Sequence, residues 1–491
     1  MMQTSIDIPV TIVCIDNTDF IQTIPSPNFE RLAAARRLNP QIDIVERPQL
    51  DRWYRAPTNR TAQRNFRSML ERFGQTYLEL EEGETLGSIL RLSNDQIDWR
   101  RILVYTDSIG SRVPIEALWS DEQKGGQKIG FVAANSIAPV SIVRHLGLEA
   151  AEMMKVKAGE PLQMLVVFSN PKQTGYNLGS VEKDGKYLSF QDDPLGAEQK
   201  ALIKNLDALV QLELLQIHFL VGDETRGIVY EGQVEFDKRK QQLLWTITDD
   251  KSTDLQNTFV RYLKNNNWHI LHYFGHGTAG EQYPELVLRP GENISSLAIG
   301  ARITRMPRIV IINACQSANA GNANVPVLSG FATLFLMRDT VNLVCMQMTV
   351  TYNTATQTTS ELYSRLAQSL FTRQMDFEEA LYAIRRKVYD TDQPPQLDFF
   401  CPVLYARPVN GPIFKYQDDR MDVWRLAHET DFEGAVEQLS TLYVESTNER
   451  RFDYQNKDLE TWKLIQEQRI PLLPWRLYQV AKWSSKLNKV K

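Results

Sequence analysis

The sequence predicts an α/β protein whose sheet is largely parallel and flanked by helices. Two observations support this fold class: short apolar runs rich in β-branched residues recur along the chain, and amphipathic segments separate them. Such alternation is typical of parallel sheets, because each strand needs a crossover connection, usually a helix, to reach the next strand. The predicted strands are 9–16, 101–107, 163–171, 214–221, 268–275, 308–315 and 341–348.

Two of the amphipathic segments, 252–267 and 376–390, show one clear apolar face. Their apolar residues recur at helical spacing, which predicts helices that cover the sheet. These residues are Leu255, Phe259, Tyr262 and Leu263 in the first segment and Phe377, Leu381, Ile384 and Val388 in the second.

Other stretches interrupt this pattern and suggest a division into domains. Residues 171–198 are polar and punctuated by Gly and Pro, which predicts a long surface loop, and 227–248 alternates like an inserted hairpin. We expect an N-terminal α/β lobe over 1–150, a central α/β core over 151–410, and a helical C-terminal appendage over 411–491.

The composition argues against nucleic acid and membranes as binding partners. The chain of 491 residues has a formal net charge of −5 and a pI near 5.9, so it lacks the basic balance typical of nucleic-acid-binding proteins. No window reaches eighteen consecutive apolar residues, and the N-terminus has no signal-peptide pattern. We therefore expect a cytoplasmic protein that binds neither nucleic acid directly nor a membrane.

The four cysteines lie far apart and include no CxxC pair, which argues against a disulfide framework or a zinc knuckle. Cys14, Cys345 and Cys401 are embedded in apolar runs and are expected to be small buried core residues. Cys315 differs, because it follows the apolar run 309–312 and precedes a polar, turn-forming stretch.

Three of the six histidines, His269, His272 and His276, fall within eight residues. In a helix they would share one face and suggest a metal site, but Gly275 and Gly277 disfavour a helix and no HExxH or paired cysteines accompany them. We interpret the segment as a strand in which His269 and His272 are ordinary satisfied groups, and we expect no metal. The metal site remains the minority alternative.

His276 and Cys315 occupy equivalent positions, each just past the end of a predicted parallel strand. Ligand sites in open α/β sheets lie at the carboxyl ends of strands, and the spacing between these residues leaves room for one crossover. The sequence therefore predicts that an imidazole and a thiol meet at one edge of the sheet, where the imidazole can activate the thiol.

The order "FGHG" then "NACQS" resembles the catalytic order of caspases. The wider chain resembles the CHAT family of caspase-related cysteine peptidases. The resemblance rests on segments 107–119, 161–171, 269–277, 308–321, 330–346, 377–387 and 399–406.

This resemblance implies a caspase-like cysteine endopeptidase with a two-residue catalytic core. Cys315 is the implied nucleophile, and His276 protonates the leaving amine. The backbone N–H groups of Gly277 and Cys315 form the implied oxyanion hole. Asn313 stands where related peptidases that cleave after Lys or Arg carry Asp, so a basic cleavage preference is not expected.

Asn313, Gly275 and Gln316 are expected to line the substrate pocket or support the dyad. The chemistry requires no metal or organic cofactor. Under the same resemblance, 1–150 is a degenerate caspase-like lobe without catalytic groups.

Relatives of this kind act in prokaryotic defence or programmed-death systems. The expected partners are a dedicated protein substrate and a separate activating protein, because the chain shows no TPR repeats and no P-loop. The 411–491 appendage is a candidate docking element for the activator, and the 227–248 hairpin a candidate gate over the cleft. The alternative is a catalytically silent adaptor that keeps the fold for binding.

Overall fold

The computed structural model describes residues 5–15, 19–23, 36–38, 59–76, 99–106, 114–157, 159–170, 187–188, 190, 194–211, 213–223, 228–237, 242–252, 254–278, 283–289, 292–303, 305–314, 330–347, 350–391 and 397–417.

The strands and helices follow the alternation expected from the sequence. The strands are β1 (Ser5–Ile15), β2 (Asp19–Thr23), β3 (Arg36–Leu38), β4 (Trp99–Thr106), β5 (Trp119–Lys124), β6 (Gln127–Phe131), β7 (Val140–His145), β8 (Met154–Val156), β9 (Leu162–Asn170), β10 (Leu215–Asp223), β11 (Ile228–Asp237), β12 (Gln242–Ser252), β13 (Ile270–Phe274), β14 (His276–Thr278), β15 (Glu285–Arg289), β16 (Glu292–Ser295), β17 (Ile309–Asn313), β18 (Asn342–Met346), β19 (Pro402–Ala406) and β20 (Phe414–Tyr416). The α-helices are α1 (Arg60–Thr76), α2 (Pro194–Gln211), α3 (Leu255–Asn265), α4 (Ser296–Arg302), α5 (Phe331–Leu336), α6 (Tyr352–Gln368) and α7 (Gln374–Thr391).

Within the described ranges, thirteen strands join in one sheet, in the order β12-β11-β10-β9-β13-β17-β18-β19-β7-β4-β1-β2-β3. The five strands from β10 to β18 are parallel to one another. A second parallel group, β19-β7-β4-β1, runs in the opposite direction because β18 and β19 are antiparallel. The carboxyl ends of β9, β13 and β17 therefore meet at one edge, and those of β7, β4 and β1 point to the other. The predicted α/β fold with a largely parallel sheet is confirmed.

The central strands are buried on both faces, which explains their unbroken apolar character. In β13, Ile270 and Phe274 pack in the core cluster that contains α2, α6 and α7. Leu271 and Tyr273 point to the opposite cluster, which contains α3, α4 and α5. Side chains alternate across a strand, so position along β13 decides which helices a residue meets.

The two helices with clear apolar faces cover the sheet as predicted. In α3, Leu255, Phe259 and Leu263 are buried, and the carboxylate of Asp254 caps the helix by accepting a hydrogen bond from the Asn257 N–H at 2.8 Å. The apolar face of α7 is fully buried as well; its residues are Phe377, Leu381, Ile384 and Val388.

One prediction about a connection is wrong at its end. Residues 171–198 were expected to form a surface loop, but α2 begins at Pro194, and Glu198 in its first turns has no exposed surface. Proline is favoured at the first position of a helix, because its missing N–H would have no partner there. The Gly and Pro content of this stretch therefore concealed the start of helix α2.

The sheet continues across the predicted domain boundary near residue 150. Strand β7 pairs with β19 in parallel, so strands from 1–150 and from 151–410 share one sheet. The alternating segment near 227–248 corresponds to the antiparallel pair β11 and β12 at the end of the sheet. The predicted appendage over 411–491 is described only as far as residue 417. That part contains β20, which pairs with β8 of the core. The division into three domains stays a prediction.

Among the helices described, none is both long enough and apolar enough to cross a bilayer.

Candidate active site

The predicted catalytic edge forms where β13 and β17 end side by side. These strands are parallel neighbours in register, with Phe274 opposite Asn313. Beyond this pair, the Gly275 N–H donates a hydrogen bond to the Asn313 carbonyl oxygen at 3.3 Å. His276 therefore directly follows a residue whose backbone is hydrogen-bonded to the end of the neighbouring strand.

Gly275 lies in a space that admits no side chain. A Cβ atom added there would lie 2.8 Å from Oη of Tyr273 and 2.9 Å from Cβ of Ser169. Atoms in real structures do not approach a Cβ so closely, so glycine is needed here for close packing.

The backbone that carries His276 is held by a small antiparallel sheet and by two buried hydroxyl groups. Strand β14 pairs with β15, placing His276 opposite Val287. The Tyr273 hydroxyl lies 3.1 Å from the His276 carbonyl oxygen and 3.0 Å from that of Val287. The Ser169 hydroxyl reaches the carbonyl oxygens of Val287 at 2.6 Å and Leu288 at 3.0 Å. The ends of β9, β13 and β15 are thus tied together at the histidine.

The imidazole of His276 is partly buried. Burial lowers its pKa below the ordinary value, because the charged form loses hydration. At neutral pH the group is therefore mainly neutral, and a neutral imidazole can accept a proton from a nearby thiol.

Asn313 is 3% exposed, and the nitrogen of its side-chain amide is committed to protein partners. Its Nδ2 donates to Oε1 of Glu198 at 3.2 Å, to the Ala355 carbonyl oxygen at 3.0 Å and to Oγ1 of Thr359 at 3.2 Å. These contacts join the end of β17 to helices α2 and α6.

The three clustered histidines do not converge. Residues 270–274 form a strand, so the helix that the metal alternative required is absent from this segment. Nδ1 of His269 accepts a hydrogen bond from the Gln163 N–H at 2.8 Å. His272 is fully buried against Glu198 and Tyr363. In the part of the chain that the structure describes, no three His, Cys, Asp or Glu residues form a group that could hold a metal ion.

Cys315 and Gln316 lie outside the described residues, whereas Gly277 is described and lies opposite Leu286 in the β14–β15 pair. Cys345 and Cys401 have no exposed surface, as their apolar context predicts. Burial raises the pKa of Cys345 well above its ordinary value, which keeps this thiol protonated and inert.

Sequence reasoning did not identify Ser169, Tyr273 or Glu198 as parts of this region. Ser169 and Tyr273 lie inside predicted strands, where nothing distinguishes them from packing residues. Ser169 precedes the carboxyl end of β9, and that position is the one local signal that favoured it.

The model of the CHAT domain family matches residues 78–432. A comparison with curated protein sequences found no match.

The chain also aligns with solved structures at low similarity. A complex of the RgpB pro- and mature domains of Porphyromonas gingivalis has a TM-score of 0.36 and 14% identity, covering 70% of each chain. A secreted C11 cysteine protease from Bacteroides thetaiotaomicron has a TM-score of 0.30 and 7% identity, covering 47% of this chain and 60% of that chain. A Saccharomyces cerevisiae separase–securin complex has a TM-score of 0.39 and 12% identity, covering 84% of this chain and 30% of that chain. Because the family match spans more than half of the sequence, the chain belongs to the CHAT domain family, as its motifs predict.

Proposed function

We propose that this protein is a cysteine endopeptidase that uses His276 and Cys315 as its catalytic dyad. The observation that carries the proposal is the pairing of Phe274 with Asn313 at the ends of two parallel strands. His276 and Cys315 each follow this pair by two residues. Neighbouring strands lie about 4.8 Å apart, so Phe274 and Asn313, the strand ends that precede His276 and Cys315 in the sequence, are adjacent at one edge of the sheet. Membership of the CHAT domain family supports the same assignment.

The reaction follows from the two groups. The thiol proton of Cys315 passes to the neutral imidazole of His276, and the thiolate attacks the carbonyl carbon of the substrate peptide bond. The N–H groups of Gly277 and Cys315 stabilise the resulting oxyanion. When the C–N bond breaks, the leaving amine takes the proton from His276, and water then hydrolyses the thioester and restores the thiol.

The contacts of Asn313 favour a role in supporting the catalytic dyad over a role in binding the substrate. Its Nδ2 already donates to three protein groups, and it carries no charge to attract a basic P1 side chain. Gly275 belongs to the same support, because its N–H fixes the end of β13 against β17. We assign Gln316 to the substrate pocket, since it directly follows the nucleophile.

We further propose that the protease acts in the cytoplasm on a dedicated protein partner, in a prokaryotic defence or programmed-death pathway. A separate sensor protein would activate it, because the sequence shows no sensor motif of its own. The 411–491 appendage is the proposed docking element and the β11–β12 hairpin the proposed gate. Family membership and the absence of P-loop and TPR motifs from the sequence support this role.

The test is alkylation of the purified full-length protein with iodoacetamide, mapped by mass spectrometry, with and without candidate partner proteins. We expect selective labelling of Cys315, and slower labelling in His276→Ala. Cys345 and Cys401 are internal controls, because both are fully buried and should stay unlabelled until the protein unfolds.

Once a substrate protein is identified, Cys315→Ala should abolish its cleavage without changing thermal unfolding. If Cys315 labels no faster than Cys345 with every partner, or if His276→Ala labels at the wild-type rate, the endopeptidase proposal fails and a catalytically silent adaptor becomes the better interpretation.

A further inference from the structure

A cluster of buried polar side chains lies beneath the candidate dyad, between the sheet and helices α2 and α6. We call it the Glu198 cluster; its members are Glu198, His272, Asn313, Thr359 and Tyr363. None of them is more than 3% exposed. The proposed reaction uses none of them directly.

One carboxylate oxygen joins the elements of this cluster. Oε1 of Glu198 lies 3.2 Å from Nε2 of His272 and accepts a hydrogen bond from Nδ2 of Asn313 at 3.2 Å. The Thr359 hydroxyl also donates to this oxygen. A single atom on α2 therefore contacts β13, β17 and α6.

The far side of His272 is fixed as well. Its Nδ1 lies 3.0 Å from the hydroxyl of Tyr363, which is also on α6. Burial raises the pKa of Tyr363 well above its ordinary value, so the phenol keeps its proton and forms a neutral hydrogen bond with Nδ1. The imidazole is thus held at one nitrogen by α6 and faces Glu198 with the other.

The cluster costs folding free energy, because it buries polar atoms that lack hydrogen-bond partners. Among the described residues, Oε2 of Glu198, Nε2 of His272 and Oδ1 of Asn313 are buried and have no hydrogen-bond partner, so Nε2 of His272 contacts Glu198 without forming a hydrogen bond to it. Buried polar atoms without partners destabilise a fold, and apolar side chains of similar size often pack better in such places. Retention of this polar cluster in an otherwise apolar layer therefore calls for an explanation beyond packing.

The position of the Glu198 cluster, next to the carboxyl ends of β13 and β17, supplies that explanation. His272 lies on β13, four residues before His276, and Asn313 is the last residue of β17, two residues before Cys315 in the sequence. Glu198 therefore contacts both strands close to their carboxyl ends, through a hydrogen bond on β17 and a 3.2 Å contact on β13. Displacement of catalytic groups by about 1 Å can reduce rates by about 100-fold, so a common anchor for the two strand ends has direct catalytic value.

We propose that Glu198 is a positioning residue, which sets the relative placement of His276 and Cys315 because one oxygen of its carboxylate holds Asn313 by a hydrogen bond and packs against the ring of His272. This inference rests on the proposed dyad. Thr359 assists by holding the carboxylate from α6, and the Gly275 to Asn313 backbone contact transmits the placement to the strand ends.

The experiment compares Glu198→Gln with Glu378→Gln in the full-length protein. Glu378 is a matched control: it is 2% exposed, lies on helix α7, and pairs with Arg101 at 2.7 Å and Ser141 at 3.0 Å, both on strands that run opposite to β13. Each substitution replaces one buried carboxyl group with an amide and preserves side-chain volume.

A second pair of variants separates positioning from folding. Thr359→Val removes the hydroxyl that contacts Glu198, whereas Thr358→Val removes a neighbouring buried hydroxyl that donates to the Thr354 carbonyl of its own helix at 2.7 Å. Thr359→Ser keeps the hydroxyl and should behave as wild type. These changes are small enough to leave the fold intact if Glu198→Gln does not.

The readout is the rate of Cys315 alkylation by iodoacetamide as a function of pH. A neighbouring imidazole lowers the pH at which a thiol reacts, relative to an isolated cysteine with a pKa of about 8.5. We expect Glu198→Gln and Thr359→Val to react at least ~10-fold more slowly at pH 7, with their pH midpoints displaced toward that of His276→Ala. The Glu378→Gln and Thr358→Val controls should match wild type.

Two results would overturn the inference in distinguishable ways. If wild-type labelling depends on His276 but Glu198→Gln and Thr359→Val match their controls, the dyad stands and positioning by Glu198 is wrong. If His276→Ala labels like wild type, the dyad itself is wrong, and the role of Glu198 falls with it.

Discussion

The Gly275 N–H and the Asn313 carbonyl oxygen are joined by a hydrogen bond of 3.3 Å at the point where β13 and β17 end. This bond lies one residue before His276 and two residues before Cys315. It extends the parallel register of the two strands beyond the last paired residues. Small changes around it should therefore affect the relative placement of the two candidate catalytic groups.

Gly275→Ala should destabilise the protein by about 1–3 kcal/mol and slow alkylation of Cys315, because the new Cβ would clash with Tyr273 and Ser169. Urea unfolding and labelling rates measure the two effects. Tyr273→Phe removes the hydroxyl nearest to that Cβ, so the double variant should lose less stability than the sum of the single variants.

Gly300→Ala is the control for this prediction, because its Cβ would meet the movable side chain of Leu334 on the α4–α5 side of the sheet. It should leave Cys315 labelling unchanged. Strict additivity of Gly275→Ala and Tyr273→Phe would show that the clash with the hydroxyl is not the cause of the loss.

His276 should titrate below pH 6.5 in the folded protein, because burial disfavours its charged form. We would measure its pKa by NMR of selectively labelled histidine in Cys315→Ala, which removes coupling to the thiol. The His276→Gln variant assigns the resonance. A titration midpoint at or above 6.5 would contradict the neutral, proton-accepting imidazole on which the proposed reaction depends.

His269 should make folding stability depend on pH between about 6.5 and 4. Burial, assisted by the charge of Arg305, lowers its pKa to about 4 in the folded protein. In that window the unfolded chain binds a proton that the folded protein does not, so stability falls as the pH falls. His269→Asn keeps an acceptor for the Gln163 N–H and removes the titration.

Denaturant unfolding at pH 7.5 and pH 4.5 tests this prediction. The wild type should lose about 2 kcal/mol more than His269→Asn between these two conditions. Equal losses in the two proteins would show that other groups control the acid response.

Glu116→Gln should cost about 3 kcal/mol of folding free energy, because it removes the carboxylate that pairs with the buried guanidinium of Arg144. Both residues are almost fully buried; Nε of Arg144 donates to Oε1 of Glu116 at 2.9 Å, and Gln347 contacts both side chains. Urea unfolding provides the measurement.

Glu160→Gln is the matched control for the Glu116 prediction. Glu160 pairs with Lys157 at 3.6 Å, and both side chains are mostly exposed. Solvent screens such a pair, so the change should stay within about 0.5 kcal/mol. A loss for Glu116→Gln as small as the control's would mean that the buried pair does not stabilise the fold.

Much of the fold was predictable, because it depends on local patterns. The apolar runs at 268–275 and 308–315 became β13 and β17, and the helical spacing at 252–267 became α3. The position of His276 just past a strand was predictable for the same reason. In buried strands and amphipathic helices, the spacing of apolar residues along the sequence indicates which side chains are buried.

Glu198 shows where such patterns fail. A glutamate near the start of a helix suggests a solvent-exposed position, and the preceding polar stretch suggested a loop. Its burial depends on His272, Asn313 and Thr359, which come from distant parts of the chain and meet it through strand pairing. No short window contains these partners.

The sequence by itself determined the α/β class, the membership of the CHAT domain family and the candidate pair His276 and Cys315. The tertiary structure decided that β13 and β17 are neighbours in register, that Gly275 is required by close packing, and that His272 and Asn313 converge on Glu198. The reason is physical: hydrophobic periodicity reports which face of an element avoids water, but the partner that each buried polar group meets depends on which elements pair across the sheet.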